Sequence, residues 1–379
     1  MAGVVAPRLR VGLHVSQLIH AIPGGIGRVT QLLCDELPKY VDVVPFAVGS
    51  RHDRAGLATR LAPAIELHRV LGLPSIRWQY ELWHHLRRPR VHLNIDVCHA
   101  PSLALPPTNA ALVVSVNDVA FLRHPETFPT HGLRFHTRGL ATARREAAAI
   151  IVPSEFTRDE LVREGFERGR IHCVPLALQP VPQQPSTRRP DVLSMIGVQT
   201  PYLLSAGTLE PRKDHATLLA AFERSRIRQP TLSLVIAGPT GWLPDEGMYA
   251  KPGVIRLGHI PNSYLDVLYR EAAIVVAPSI YEGFDLVVLE AMARGRPVIA
   301  SRIPPHVELA GNAARFFPPR DVDSLAQHID ELLGDPDARD ELGRAAALRS
   351  ERFTVDITIA GHLAAYQRAA GVPRHTASR

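Results

Sequence analysis

The chain has 379 residues, 46% of them hydrophobic and 21% charged, a globular composition too long for one ordinary core, so two domains are expected. Its formal charge is +6, and residues 1–180 hold 21 Lys/Arg against 15 Asp/Glu, so the whole excess lies in the first half. That surplus suits an acidic membrane surface or a phosphorylated acceptor, is too diffuse to argue for nucleic acid, and comes with no recognised nucleic-acid module.

Strand and helix patterns alternate from the start. Val11–Val15 reads as a strand, Ile26–Leu37 as a helix and Val41–Ala47 as a strand. Between the first two lies Pro23-Gly24-Gly25-Ile26-Gly27-Arg28, whose glycines let backbone N–H groups approach a phosphate. It is not G-x-G-x-x-G, so no dinucleotide site is indicated. Trp78, Tyr80, Trp83, Arg87, Arg88 and Arg90 form an aromatic–basic stretch. Ile76, Tyr80, Trp83 and Leu86 share a helical stripe, which favours core packing over a membrane-interface helix. Further strands are expected at Val97–Ala100, Leu112–Val116, Ala149–Val152 and Ile171–Val174. Asn117-Asp118 closes the second of these.

Leu178–Asp191 carries Pro180, Pro182, Pro185 and Pro190 among Gln, Ser and Arg, and reads as an interdomain linker. A second alternating set follows: strands Tyr202–Ala206, Leu232–Ala237, Val254–Leu257, Ile274–Ala277 and Val298–Ala300, with helices His215–Arg224, Ser263–Ala272 and Leu286–Ala293. The segments expected are thus 1–178, a linker over 179–200, 201–355, and a final helix and tail over 356–379. Two doubly wound parallel α/β domains facing a cleft are the expected fold class. The scattered Cys34, Cys98 and Cys173 give neither a disulfide frame nor zinc spacing and suit a reducing compartment. No run approaches the ~20 apolar residues of a membrane span, and no apolar signal segment follows the N-terminus. A cytoplasmic protein is expected, peripheral at the inner face of the plasma membrane if its basic half meets lipid.

Two loops carry the chemistry. In Gly207-Thr208-Leu209-Glu210-Pro211-Arg212-Lys213-Asp214, Asp214 is placed to cap a helix. Arg212 and Lys213 then stand at the positive end of a helix dipole, where cations are locally unfavourable, so an anion is expected between them. In Pro278–Ser301, Glu282 and Glu290 are separated by seven residues, and eight helical steps would span about 12 Å. The helix's apolar face (Leu286, Leu289, Met292, Ala293) leaves Glu290 toward the strand end or solvent. Asp321-Val322-Asp323 looks like a metal-binding D-x-D but opens a helix at Leu325, so a cap is the better reading; no other metal spacing occurs.

Together, Glu282-x7-Glu290, the Gly207–Lys213 loop and the Gly24-Gly25-Ile26-Gly27 turn resemble the retaining GT-B glycosyltransferases of family four, over nearly the whole chain. The resemblance implies that the C-terminal domain binds a nucleotide-diphosphate sugar and the N-terminal domain a saccharide, lipid-linked or small-molecule acceptor, with Asp356–Ala369 crossing back to the N-terminal domain. It implies no cofactor and no metal, because Arg212 and Lys213 stabilise the leaving diphosphate. It also implies that Glu282 holds the sugar, with Gly283, Phe284, Asp285 and Leu286 assisting, and that Glu290 accepts from the ribose. Gly207, Ile260, Gly24, Gly25, Gly27 and Asp118 would border the donor. Mannose is the favoured sugar. Two departures stand out: Asn117 where many relatives carry His, and Asp285-Leu286-Val287 where relatives carry Gly and Pro around the leucine position. They keep two alternatives in view, a scaffold with lost or altered catalysis and a sugar epimerase on the same architecture. Oligomeric state is not legible.

Overall fold

Two parallel sheets organise the chain in a computed structural model that describes residues 8–19, 24–48, 68–71, 83–179, 189–242 and 247–371. The chain divides into two compact units, Met1–Ala177 with Val355–Arg379, and Leu178–Thr354.

In the first unit the strands are β1 (Arg10–His14), β2 (Asp42–Val48), β3 (His68–Leu71), β4 (Val97–Ala100), β5 (Ala111–Ser115), β6 (Ala147–Val152) and β7 (Ile171–Cys173). They lie in the order β3-β2-β1-β4-β5-β6-β7, each neighbour parallel. Every residue of β4 and the last four of β5 are buried, the near-continuous apolar pattern of strands covered on both faces. Crossovers run through α1 (Gly24–Glu36), α2 (Ala120–Arg123), α3 (Thr130–Glu146) and α4 (Glu155–Arg163). Ser154 starts α4 by accepting from Thr157 N–H at 3.1 Å. The order reverses between β1 and β4, which makes their carboxyl ends a topological switch point, the place where open α/β sheets hold ligands.

The second unit contains α5 (Arg189–Met195), β8 (Tyr202–Ala206), α6 (His215–Arg228), β9 (Ser233–Ala237), β10 (Val254–Gly258), α7 (Asn262–Glu271), β11 (Ile274–Ala277), α8 (Leu286–Met292), β12 (Val298–Ser301), α9 (Pro304–Ala310), β13 (Arg315–Phe317), α10 (Val322–Gly334) and α11 (Pro336–Ser350). Its strands run β10-β9-β8-β11-β12-β13, again all parallel, and the switch point falls between β8 and β11. The last helix, α12 (Val355–Ala370), belongs to the first unit. Its Ile359, Ala365 and Tyr366 share that unit's core with Val11, Leu13 and Val113, and Thr358 Oγ1 donates to Pro175 O at 2.8 Å. At Gly361 a Cβ would stand 2.7 Å from the Val174 side chain, so glycine sets how closely α12 approaches.

Four sequence expectations change. Residues 189–195, read as linker, form α5, which packs on α7 with Val192 buried. The edge strands β3 and β13 give no apolar signal in the sequence, since His68-Arg69 and Arg315 interrupt the pattern; charge on an edge strand blocks further pairing. Leu86 is exposed and off the apolar stripe, while Trp83 is buried with its indole N–H donating to Pro89 O at 2.9 Å. The glycines of the first motif lie in the opening turn of α1, not in a loop ahead of it. Pro23, Trp78, Tyr80 and residues 180–188 of the linker lie outside the described residues. No described helix is long and apolar enough to cross a membrane.

Candidate functional site

The loop leaving β8 is fixed by backbone contact. Gly207 has φ +124°, and a Cβ at Gly238, where β9 ends, would fall 1.8 Å from Gly207 O, so only glycine fits there. The chain then makes one tight turn, Pro211–Lys213, and enters α6 through Asp214. Asp214 caps that helix as the sequence indicated: its carboxylate accepts from Thr217 N–H at 3.4 Å and from Thr217 Oγ1 at 2.7 Å. Its backbone is left-handed, with φ +45°.

The loop leaving β11 meets this turn directly, Ile280 N–H donating to Arg212 O at 2.9 Å. Arg212 Nη1 stands 2.6 Å from Glu282 Oε2 and donates to Tyr281 O at 2.5 Å, while its other nitrogen pairs with Glu210. Lys213 Nζ donates to Glu282 Oε1 at 2.7 Å and lies 3.9 Å from Asp285 Oδ2. Between the two cations lies the chain's own Glu282. All of these groups are largely buried, which strengthens their coupling. Burial opposes ionisation of Glu282, but Arg212 and Lys213 outweigh it and hold the carboxyl below its usual range. Burial likewise opposes charge on Lys213, and Asp285 and Glu282 outweigh it, so the ammonium is held above its usual value.

Asp285 extends the cluster in a direction that sequence reading missed. Its Oδ1 accepts from Val287 N–H at 2.8 Å and caps α8; its Oδ2 accepts from His306 Nε2 at 3.0 Å. The opposite ring nitrogen of His306 stands 2.9 Å from Ser301 O, and Ser301 Oγ bonds Ser279 O in the loop ahead of Glu282. Burial raises the Asp285 carboxyl, but Lys213 and the His306 hydrogen bond pull it well below the carboxylate range. Asp285 achieves this with φ +89°, a conformation glycine adopts freely and aspartate only under strain. The one sequence signal for His306 was its place in the first turn of a Pro304-Pro305 helix start at the end of a buried strand. Nothing in the sequence sets Glu210 apart from the rest of the Gly207–Lys213 loop.

The other predicted residues are placed less centrally. Gly283 and Phe284 are buried in the same loop, Phe284 edge-on to Phe353 with centroids 5.7 Å apart. Leu286 opens α8, so only its later residues are helical and the helical 12 Å span from Glu282 does not apply. Glu290 does not face solvent: it is 4% exposed and accepts from Tyr269 Oη at 2.8 Å. The apolar face of α8 is wider than expected, with Val288–Met292 all buried and Ala293 exposed. Ile260 is half-buried between β10 and α7. Asp321 caps α10, accepting from Ser324 N–H at 3.0 Å. In the first unit, Asn117 donates to Pro101 O at 3.3 Å and lines a crevice of about 10 Å³ with Ile26 and Val29 of α1, next to Gly25 and Gly27 in sequence. Asp118 accepts from Ala120 N–H at 2.9 Å and is a turn residue. Gly24 has φ +62° and open space where a Cβ would be.

Comparison with known proteins defines the class that this fold and cluster belong to. Residues 195–349 match the family Glycosyl transferases group 1, and residues 23–179 match Glycosyltransferase Family 4. The chain belongs to the group 1 glycosyltransferases and is a glycosyltransferase of GT-B fold. It is 31% identical over 273 residues to O-antigen chain mannosyltransferase B of Escherichia coli, covering 68% of this chain and 70% of that protein. It is also 31% identical over 237 residues to the MMP alpha-(1->4)-mannosyltransferase of Mycolicibacterium hassiacum, covering 60% of this chain and 55% of that one. Among solved structures, Anabaena HepE in complex with UDP and glucose superposes with a TM-score of 0.72 at 16% identity, over 94% of this chain and 99% of that one. Sucrose-phosphate synthase from Thermosynechococcus elongatus superposes equally well, TM-score 0.72 at 20% identity, over 95% and 99%.

Proposed function

We propose that the chain transfers mannose from a nucleotide-diphosphate donor to a saccharide or lipid-linked acceptor, with retention at the anomeric carbon and without a metal or other cofactor. The observation that carries this reading is the convergence of Arg212, Lys213 and Glu282 from two loops at the β8/β11 switch point. Departure of a diphosphate needs positive charge preorganised in a site of low dielectric, and these two cations, held at a helix N-terminus, supply it. An arriving diphosphate competes with Glu282 for both cations. The carboxylate so released becomes an acceptor for sugar hydroxyls, which couples donor binding to sugar recognition. Gly207, beside Lys213, takes a φ of +124° that favours glycine. Two curated relatives named as mannosyltransferases support the sugar, and the UDP-bound neighbours support a nucleotide sugar of this general kind. A membrane-peripheral cytoplasmic location fits the basic first half of the sequence.

Purified protein incubated with GDP-mannose, UDP-glucose and UDP-N-acetylglucosamine should turn over the mannosyl donor, and turnover should persist in excess EDTA. Lys213→Ala and Glu282→Gln should each lower turnover by about 10²–10³-fold, the loss typical of removing one preorganised charge-stabilising group. Wild-type rates in both variants would remove the site assignment. Strict dependence on an added divalent ion would overturn the metal-free reading, and an epimerised sugar without glycosylated product would replace transfer by isomerisation.

A further inference from the structure

The first unit has a built cavity at its own switch point that the donor-side chemistry does not use. About 650 Å³ in volume, it lies within the range of small-molecule sites. Leu103 and Leu105, in the loop leaving β4, form part of its wall. The end of β1 adjoins it: His14 Nδ1 stands 3.2 Å from Ala104 O, and its ring is 6.4 Å from that of His84, another wall residue. The facing wall is α3, with Phe135 among its apolar residues.

The charge of this cavity has one sign. Arg87, Arg134, Arg138 and Arg145 line it together with three histidines, and no carboxylate is among its described lining residues. Burial pushes the His84 imidazole down to about 3, so that ring is uncharged at neutral pH, whereas the guanidinium groups are charged throughout. Two of these are already engaged. Arg87 pairs with Glu146 and donates to Leu105 O at 2.6 Å. Arg145 lies in the last turn of α3, where the helix dipole favours a cation, and reaches Thr142 Oγ1 at 3.4 Å. Arg134 and Arg138 have no such account. They are a like-charged i,i+4 pair in the body of α3, which costs helix stability, and no carboxylate or carbonyl among the described residues pairs with either. Several other arginines of this unit do have carboxylate partners: Arg123 and Arg163 with Glu160, Arg168 with Asp159.

We infer that the cavity between α3 and the β4 loop binds the phosphate group of a phosphate-bearing ligand, with Arg134 and Arg138 as its principal contacts. Resting on the proposed transfer reaction, that ligand is the acceptor. A carboxylate satisfies one guanidinium fork; two or three converging forks match the several oxygens and higher charge of a phosphate ester. The apolar wall then accommodates the sugar or lipid portion.

The test is a calorimetric titration of the full chain with mannose 6-phosphate, using mannose as the uncharged control, and a flotation assay with vesicles of phosphatidylglycerol in phosphatidylcholine against phosphatidylcholine alone. The variants are Arg134→Ala/Arg138→Ala and Lys213→Ala. Both arginines are exposed, and circular dichroism checks that the double variant keeps its fold. Mannose 6-phosphate binding that falls at least about tenfold in the double variant and survives Lys213→Ala supports a free phosphate ester. Binding confined to the anionic vesicles, and lost in the double variant, supports a lipid phosphate. No binding of either probe, equal binding by wild type and double variant, or loss only in Lys213→Ala overturns the inference. Because titration and flotation read binding without turnover, their outcome is independent of whether donor turnover succeeds.

Discussion

The two units place their chemistry at equivalent points of the same topology and equip those points in opposite ways. Each sheet is parallel and reverses order beside its first strand, at β1/β4 and at β8/β11. At β8/β11 the loops carry two cations and three carboxylates that pair with one another almost out of water. At β1/β4 the histidine nearest the strand ends is neutral, and two of the arginines, Arg134 and Arg138, are exposed and without a carboxylate partner among the described residues. A parallel sheet supplies a crevice in both cases; the loops alone decide whether it is a closed electrostatic clasp or an open basic pocket.

This contrast is breakable by substitution. Glu282→Ala leaves Arg212 and Lys213 buried with one carboxylate fewer, and should lower the stability of the full chain by about 3–5 kcal/mol in urea unfolding. Glu282→Gln retains hydrogen-bond acceptance and should cost less, while Arg134→Ala at the open pocket should stay within about 0.5 kcal/mol. Equal losses at Glu282 and Arg134 would dissolve the distinction between clasp and pocket. Because glutamine keeps the hydrogen-bond acceptor, it is the variant for activity.

The pH dependence follows from the same cluster. Glu282 and Asp285 have folded-state values depressed below their unfolded ones. Their contribution is fully present above the unfolded carboxylate range of about 4 and is lost as pH falls through the folded values. Lys213, held above its ordinary value, contributes below about 10.4 and loses that contribution as pH rises through its folded value. Urea midpoints of wild type and Glu282→Gln measured from pH 3 to 7 should converge toward the acid end; parallel curves would show that Glu282 is not the source.

A finer effect isolates the backbone at Asp285. Asp285→Ala and Asp285→Gly both lose the cap on α8 and the His306 bond, but only glycine relaxes φ +89°. The glycine variant should be the more stable of the two by about 1 kcal/mol in the same urea assay, and equal midpoints would mean that the loop bears no backbone strain.

Local signals carried the sequence reading a long way. Apolar runs located β4, β8 and β11, and Asp214 and Asp321 announced helix starts because a cap depends on three or four consecutive residues. What escaped was non-local. Ile280 N–H bonding to Arg212 O, and His306 reaching Asp285 from across β12, depend on which strands become neighbours. The burial of Glu290 against Tyr269 was equally hidden, because Tyr269 lies on a different helix. Pattern along the chain has no access to such pairs until the sheet order is known.

The return of α12 into the first unit also bears on synthesis. A ribosome completes Leu178–Thr354 before it has made the residues that finish the core begun by β1. The earlier unit must therefore wait, with Val11, Leu13 and Val113 short of their cover, while the later unit can already close. Birth order and completion order are inverted, and a nascent chain arrested before Ile359 would present the first unit to chaperones with its apolar surface incompletely covered.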